Sequence, residues 1–374
     1  MDRMRIPTQG KHRGGADLGA SVRPGAARRL MDRVLEIGGF AAAWCGRLFA
    51  QAGHEVVRIE PETPTPGWVS QTASDLYLHA GKKRLSPQPR AVVAKLAARA
   101  DVVVLETASA DAVAEWGFEQ WTSPVKATIT PFGRTGPKRN WHATPSTLLA
   151  MGGYTNLMGD EGREPLSLPG HYTEFQAANF TYTAINANRL AGKRNDIDVG
   201  MLEVLLALSQ FTTVMWHCAG KIRSRHGSDF WSVVPTNLFR CLDGWIYVNI
   251  VPTFWDPFLA FLQRPELALD PRFANNGDRM EHRDALHAAI SEAIADVPKV
   301  TLRERANEAR IPAGIVQTFD EVLADDHLAG RGFWQSIAFG EQTLKTPNPP
   351  FRMDRARWPD RELAAPAPAG GFDG

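Results

Sequence analysis

Residues 33–60, "RVLEIGGFAAAWCGRLFAQAGHEVVRIE", constrain this chain more than any other stretch. A short β-rich run ends in two glycines. A segment of helical composition follows, with a glycine stop at Gly53, and "HEVVRIE" reads as a second strand. This is a βαβ unit, whose strands lie parallel with a right-handed crossover. The alternation continues: "RAVVAKLAARA" reads as a helix, "DVVVLE" as a buried strand and "VKATITPFG" as a further strand. Strands alternating with helices predict a doubly wound α/β sheet. Ligands of such sheets bind beyond the carboxyl ends of the strands. Those ends are Gly38-Gly39-Phe40, Glu60-Pro61, Glu106-Thr107 and Pro131-Phe132-Gly133.

Downstream the pattern is helical from Thr173 to Leu190. "GKRNDIDVGMLEVLLALSQFTTVMWHCAG" predicts a short strand and one long apolar helix. "SDFWSVVPTNLFRCLDGWIYVNIV" then alternates apolar and polar residues around Asp243-Gly244, a hairpin signal that opens a smaller α+β domain. The expected organisation is a leader over 1–32, a large domain over 33–220, a small domain over 221–324, a return to the large domain over 325–358, and a tail over 359–374. The leader carries Arg3, Arg5, Lys11, Arg13, Arg23, Arg28 and Arg29 and almost no large apolar side chain, which predicts disorder with Met31 as a candidate start. It lacks the apolar core of a secretory signal. The tail "AAPAPAGGFDG" is too poor in apolar residues to pack, so it too is expected to be disordered.

Composition narrows the function. Among 374 residues, 44% are hydrophobic and 22% charged, with a net charge of +1. That balance fits a soluble globular protein and argues against nucleic acid as a partner. No apolar run approaches the ~20 residues of a membrane span. Cys45, Cys218 and Cys241 are far apart and odd in number, so they read as buried free thiols of a cytoplasmic protein. "GGFAAAWCG" does not fit G-x-G-x-x-G, and no Walker A, H-E-x-x-H or G-x-S-x-G motif occurs. His142, His171 and His217 lack ligand spacing with a second His or Cys, so no metal is expected.

Seven segments in order resemble the class III CoA-transferases, the CaiB/BaiF family. They are the opening strand–helix–strand, "HAGKKRL", "ITPFGRTGP", "GKRNDIDVGML", "CLDGWIYVNI", "DPRFANNGDRMEHRDAL" and "ARIPAGIVQTFDEVLADDHLAGRGFW", together spanning about residues 33–335. The resemblance implies a Rossmann-like large domain with a smaller α+β domain in an interlocked dimer, homo- or heteromeric. It also implies CoA or acyl-CoA as substrate, with a carboxylic acid as the other reactant and no covalently bound cofactor. The small residues after the first strand, Phe40, Ala41 and Ala42, would let a ligand approach a helix N-terminus. Lys82, Lys83 and Arg84 would pair with nucleotide phosphates, and Thr107, Gly133 and Gly136 complete the expected binding set. The chain departs from the family pattern at His79, Pro61, Thr107-Ala108 and "SPQP".

In transferases of this family an aspartate attacks the donor thioester, where a proline-rich loop meets a helix. Here that loop is "PLSLPGHYTEFQAANF", residues 165–180, and it contains no aspartate. One alignment puts His171 at the position and another puts Glu174. Thr173 and Gln176 have capping-box spacing, with Glu174 as the first helical residue. Two alternatives stay open. One is a catalytically silent subunit of a heteromeric CoA-transferase. The other is a diverged acyl-CoA isomerase or racemase, whose His would fall near Thr144 and whose acidic groups would fall at Pro145 and at Val251 or Pro252. Phe175, Tyr154, Trp141 and Trp231 are candidates to line an acyl pocket.

Overall fold

The structure, a computed structural model, describes residues 32–62, 71–230, 232–339, 341–351 and 361–373. The expected leader lies outside these except for Asp32, which donates its N–H to His54 Nδ1 at 3.1 Å and pairs with Arg189.

The first half builds one parallel sheet. In chain order come β1 (Arg33–Ile37), α1 (Phe40–Gln51), β2 (Glu55–Ile59), α2 (Gln71–His79), β3 (Lys83–Leu85), α3 (Arg90–Arg99), β4 (Val102–Glu106), α4 (Ala110–Glu115) and β5 (Val125–Thr130). After α5 (Pro145–Met151) and α6 (Tyr154–Leu157) the chain forms α7 (Tyr172–Leu190) and β6 (Asp196–Gly200). All six strands are parallel, in the order β3-β2-β1-β4-β5-β6. The two-residue period of a strand sorts the side chains. Val34, Val102 and Val104 enter the core beneath α1 and α7; Leu35, Ile37, Val103 and Leu105 enter the opposite core with α3. Burying each such side chain contributes roughly 1.5–3 kcal/mol. The doubly wound sheet expected from the alternating runs is therefore present, as a mixed α/β fold.

The expected long apolar helix is two helices, α8 (Met201–Leu208) and α9 (Gln210–Ala219). The break is at Ser209, whose ψ of 14° leaves the helical region. Cys218 is exposed on α9, unlike buried Cys45 and Cys241, so the reading of three buried thiols is corrected.

A second core lies downstream. β7 (Thr236–Cys241), β8 (Gly244–Asn249) and β9 (Ala313–Ile315) form an antiparallel sheet. Cys241 pairs with Gly244, so the hairpin turns on Leu242-Asp243. Against it pack α10 (Trp255–Leu262), α11 (Asn276–Glu281), α12 (Arg283–Ile294) and α13 (Lys299–Ala309), with Phe258, Phe261, Leu286 and Leu302 buried.

The end of the chain returns to the first sheet. β10 (Trp334–Phe339), β11 (Gln342–Pro347) and β12 (Arg361–Glu362) form a third sheet, and Ile337 packs on Leu76 and Ala80. The expected disorder of 359–374 is corrected for the described residues. Ala367 exchanges backbone hydrogen bonds with Arg84 and Ser86 beside β3, and Phe372 is buried against the core that contains Leu35 and Leu105. One large ring and an open strand edge hold a segment that composition alone marks as unable to pack.

Candidate active site

Strand order reverses between β1 and β4, and the crevice beyond their carboxyl ends is where open α/β sheets bind ligands. The chain leaves β1 through Gly38-Gly39 and enters α1 at Phe40, while β4 ends at Glu106. The strand period carries Glu106 to the face of Val102 and Val104, beneath α1 and α7. There its Oε2 accepts the N–H of Ala42 at 2.8 Å. Gly38 permits this approach: its φ is 128°, and a Cβ on it would lie 2.6 Å from the Cβ of Glu106. Phe40, Ala41 and Ala42, expected to let a ligand approach a helix N-terminus, form the first turn of α1. An internal carboxylate takes the Ala42 N–H, and all three residues are buried.

Burial pushes the Glu106 carboxyl up to about 7. The Ala42 N–H opposes the rise, the charge of Glu174 adds to it, and Arg58 opposes it.

Glu174 comes from the first turn of α7. The helix starts at Tyr172 with His171 at its N-cap, so the expected box of Thr173 and Gln176 does not form. Glu174 is the third helical residue, where the exposed N–H groups favour an anion. It is 6% exposed. Its Oε1 lies 2.9 Å from His171 Nδ1, and its Oε2 has no hydrogen-bond partner among the described residues. The imidazole is held on its other side by the ring of Phe40, stacked at 3.9 Å and 9°. Phe175 closes the group, edge-on to Phe40 and to Trp44. Glu174, His171 and Phe40 therefore meet at one place, with Glu106 behind the same turn of α1.

The basic loop does something other than expected. Lys82 is fully buried, its Nζ donating to Glu36 Oε2 at 2.5 Å and to the Ala43 carbonyl at 2.7 Å. Arg84 pairs with Glu60 at 2.5 Å and Asp75 at 2.8 Å. Lys83 pairs with Glu55 and Asp373, and Glu55 opens β2 at the end of the sheet away from the crevice. Lys82 and Arg84, expected to pair with ligand phosphates, are here paired with carboxylates of the protein itself. Burial lowers the Lys82 ammonium to about 8, and the Glu36 charge opposes that fall.

The other expected residues serve their own loops. Thr107 donates Oγ1 to the Ser109 carbonyl at 3.0 Å. Gly133 and Gly136 follow β5, in a loop tied down by the Arg134 N–H on Asp198 at 2.8 Å. Thr144 and Pro145 start α5, Thr144 accepting the Thr147 N–H, so neither supplies a base. Tyr154 packs with Tyr172, Trp141 is exposed, and Trp231 lies outside the described residues. Among the described residues no His, Cys, Asp or Glu group could hold a metal ion, and no helix is long and apolar enough to cross a membrane. Sequence reasoning missed Glu106. Its signal was present: an acid ending an otherwise apolar strand, within the strand end Glu106-Thr107 already marked for ligands.

Fold and site together define an α/β protein with two carboxylates and an imidazole gathered at the switch point of a parallel sheet. The model of CoA-transferase family III matches residues 32–374, and the chain belongs to that family. It is thereby an enzyme of the CoA-transferase type. It is 30% identical over 326 residues to succinyl-CoA–D-citramalate CoA-transferase of Chloroflexus aurantiacus, covering 80% of this chain and 81% of that one. It is 24% identical over 348 residues to the alpha subunit of succinyl-CoA–L-malate CoA-transferase of the same organism, covering 84% and 80%. Its fold matches the crystal structure of a CaiB/BaiF family protein from Brucella suis with a TM-score of 0.77, at 23% identity over 90% of this chain and 94% of that one.

Proposed function

We propose that the protein moves CoA from an acyl-CoA thioester to a carboxylic acid, with Glu174 as the covalent carboxylate. The observation that carries this is the state of Glu174: one oxygen held by His171, the other buried without a partner among the described residues. The free oxygen attacks the thioester carbonyl, the C–S bond breaks, and a mixed anhydride and CoA thiolate result. The thiolate attacks the Glu174 side of the anhydride, releasing the donor acid and leaving a glutamyl-CoA thioester. The acceptor carboxylate attacks that thioester, CoA leaves again, and its attack on the acceptor side of the second anhydride frees Glu174. Covalent catalysis divides one hard acyl transfer into easier steps. His171 keeps the carboxylate from rotating, which matters because glutamate carries its oxygens roughly 1 Å farther out than aspartate.

The working unit in this reading is an interlocked dimer in the cytoplasm, with a large domain over 33–220 and 325–358 and a small one over 221–324. Phe211, Val214 and Trp216 on α9, and Ile222 after it, are exposed apolar side chains that a second chain would cover. A second reading has its own support. The aspartate is absent, and one relative is named as a subunit of a heteromeric enzyme. In that case this chain completes the site of an active paralogue.

The test is mass spectrometry of the intact protein after incubation with a panel of acyl-CoAs. A CoA adduct on wild type that disappears in Glu174→Gln, with folding and CoA binding kept, supports the first reading. Full activity in Glu174→Gln removes Glu174 from the chemistry and makes His171 the next target. Absence of adduct and turnover, with activity restored by an Asp-bearing homologue, supports the second reading.

A further inference from the structure

The segment that leads to His171 is held by a distant part of the chain. Between α6 and α7, residues 159–170 carry little that would fix them. Of their two leucines, Leu168 packs on the core beneath α1 and α7, while Leu166 is 56% exposed. Pro165 and Pro169 have no N–H to donate. Among the described residues, every hydrogen bond from this segment to a distant part of the chain goes to Arg225 or Gly227.

Arg225 lies in the connection from α9 to β7, and its three nitrogens all go to main-chain oxygens. Nη1 donates to the Asn156 carbonyl at 3.2 Å, Nη2 to the Arg163 carbonyl at 3.1 Å and Nε to the Asp160 carbonyl at 3.4 Å. The planar fork of a guanidinium suits this work, since it meets three acceptors at once and each bond is charge-assisted. Two residues on, the Gly227 N–H donates to the Gly159 carbonyl at 2.9 Å. The approach is close: a Cβ on Gly227 would lie 2.6 Å from Asp160 Oδ1. Immediately beyond, Ser228 donates to Asn237 on β7, and Asp229 lies 3.7 Å from His287 and 3.9 Å from Arg283 on α12. The connection therefore grips the approach to His171 at one end and the second core at the other. From Arg163, the last carbonyl held, the chain runs on to His171, whose ring rests on Phe40 and whose Nδ1 meets Glu174.

We propose that Arg225 is a positioning residue: it holds the segment that delivers His171 to Glu174, and so couples the alignment of that pair to the connection with the second core. Without the guanidinium, the segment keeps only the Gly227 bond and Leu168 as ties before His171. The imidazole then leaves its place on Phe40, and Glu174 loses the contact that fixes its rotation. The effect on rate rests on the CoA-transfer reading above; the coupling itself does not.

Hydrogen–deuterium exchange of the full chain tests the coupling without requiring turnover. In Arg225→Ala, exchange should quicken over 158–166 and also over 167–174, with β5 and α8 unchanged. If that variant does not fold, Arg225→Lys gives the same test, because one ammonium cannot meet three carbonyls in a plane. Exchange over 167–174 that stays at the wild-type rate overturns the proposal. Per folded molecule, kcat should fall ~10- to 100-fold, as for a group misplaced by about 1 Å, while KM for the acyl-CoA holds. Loss of stability alone would lower the amount of active enzyme and leave kcat in place. Faster exchange with an unchanged kcat also overturns the proposal. Faster exchange in a protein on which no acyl-CoA forms an adduct keeps the coupling and defeats the transfer reading instead.

Discussion

A glutamate at the end of a buried strand either finds positive charge or keeps its proton. Glu36 and Glu106 lie two strand positions from Val34 and Val104, on the same covered face, and they take opposite routes. Glu36 stands in register with Arg58 on β2 and also binds Lys82, so its charge is compensated. Glu106 has only shared help from Arg58, and its pKa rises from 4.5 to about 7. Between those values the native state holds a proton that the unfolded chain has lost, so stability falls as the pH rises through this window. The shift corresponds to about 3 kcal/mol. Urea denaturation of wild type and Glu106→Gln from pH 4 to 8 should therefore show wild type losing stability relative to the variant by about that amount, with no further divergence above pH 8. A difference independent of pH would show that Glu106 titrates normally.

At the scale of elements, the terminal segment carries the clearest energetic claim. The tail "AAPAPAGGFDG" is too poor in apolar side chains to be expected in a core, yet Phe372 is 5% exposed between β1 and α3 side chains, with the Arg33 guanidinium 5.9 Å from its ring centre. Removing a buried phenylalanine costs about 3–5 kcal/mol. Phe372→Ala should lower the unfolding free energy by an amount near the bottom of that range, since the segment can partly collapse onto Leu96. An unchanged melting temperature would mean that the tail does not dock in solution. The start of α7 teaches a related lesson. Capping-box spacing at Thr173 and Gln176 is a local signal, but Phe40 stacking on His171 moves the start of the helix two residues upstream of the expected first helical residue, placing Glu174 at the third helical position.

For the whole molecule the open question is assembly. α9 and the segment after it expose Phe211, Val214, Trp216 and Ile222. Four large apolar side chains in twelve residues are a liability for a lone chain in water. Light scattering at micromolar concentration should give a mass of two chains, consistent with an interface above ~2,000 Å². A single-chain mass would reject the interlocked arrangement. Replacing Phe211 and Trp216 together by Ser should then weaken the dimer, with a concentration-dependent mass as the readout.

The sequence by itself determined five strands of the parallel sheet, all but the short β3, and the family. These depend on hydrophobic period, turn glycines and motif order, all of which are local or sequential. It also marked His171 and Glu174 as the candidates for the position of the missing aspartate. Only the tertiary structure decided which charges remain available. "HAGKKRL" reads as a free basic loop until β2 and α2 bring Glu60, Asp75 and, from β1, Glu36 against it. The small residues after β1 read as an open helix start until Glu106 arrives from β4, 64 residues later in the chain. Whether a buried ionic group is paired depends on neighbours distant in sequence, and side-chain pairing of that kind leaves no mark on the spacing of a single segment.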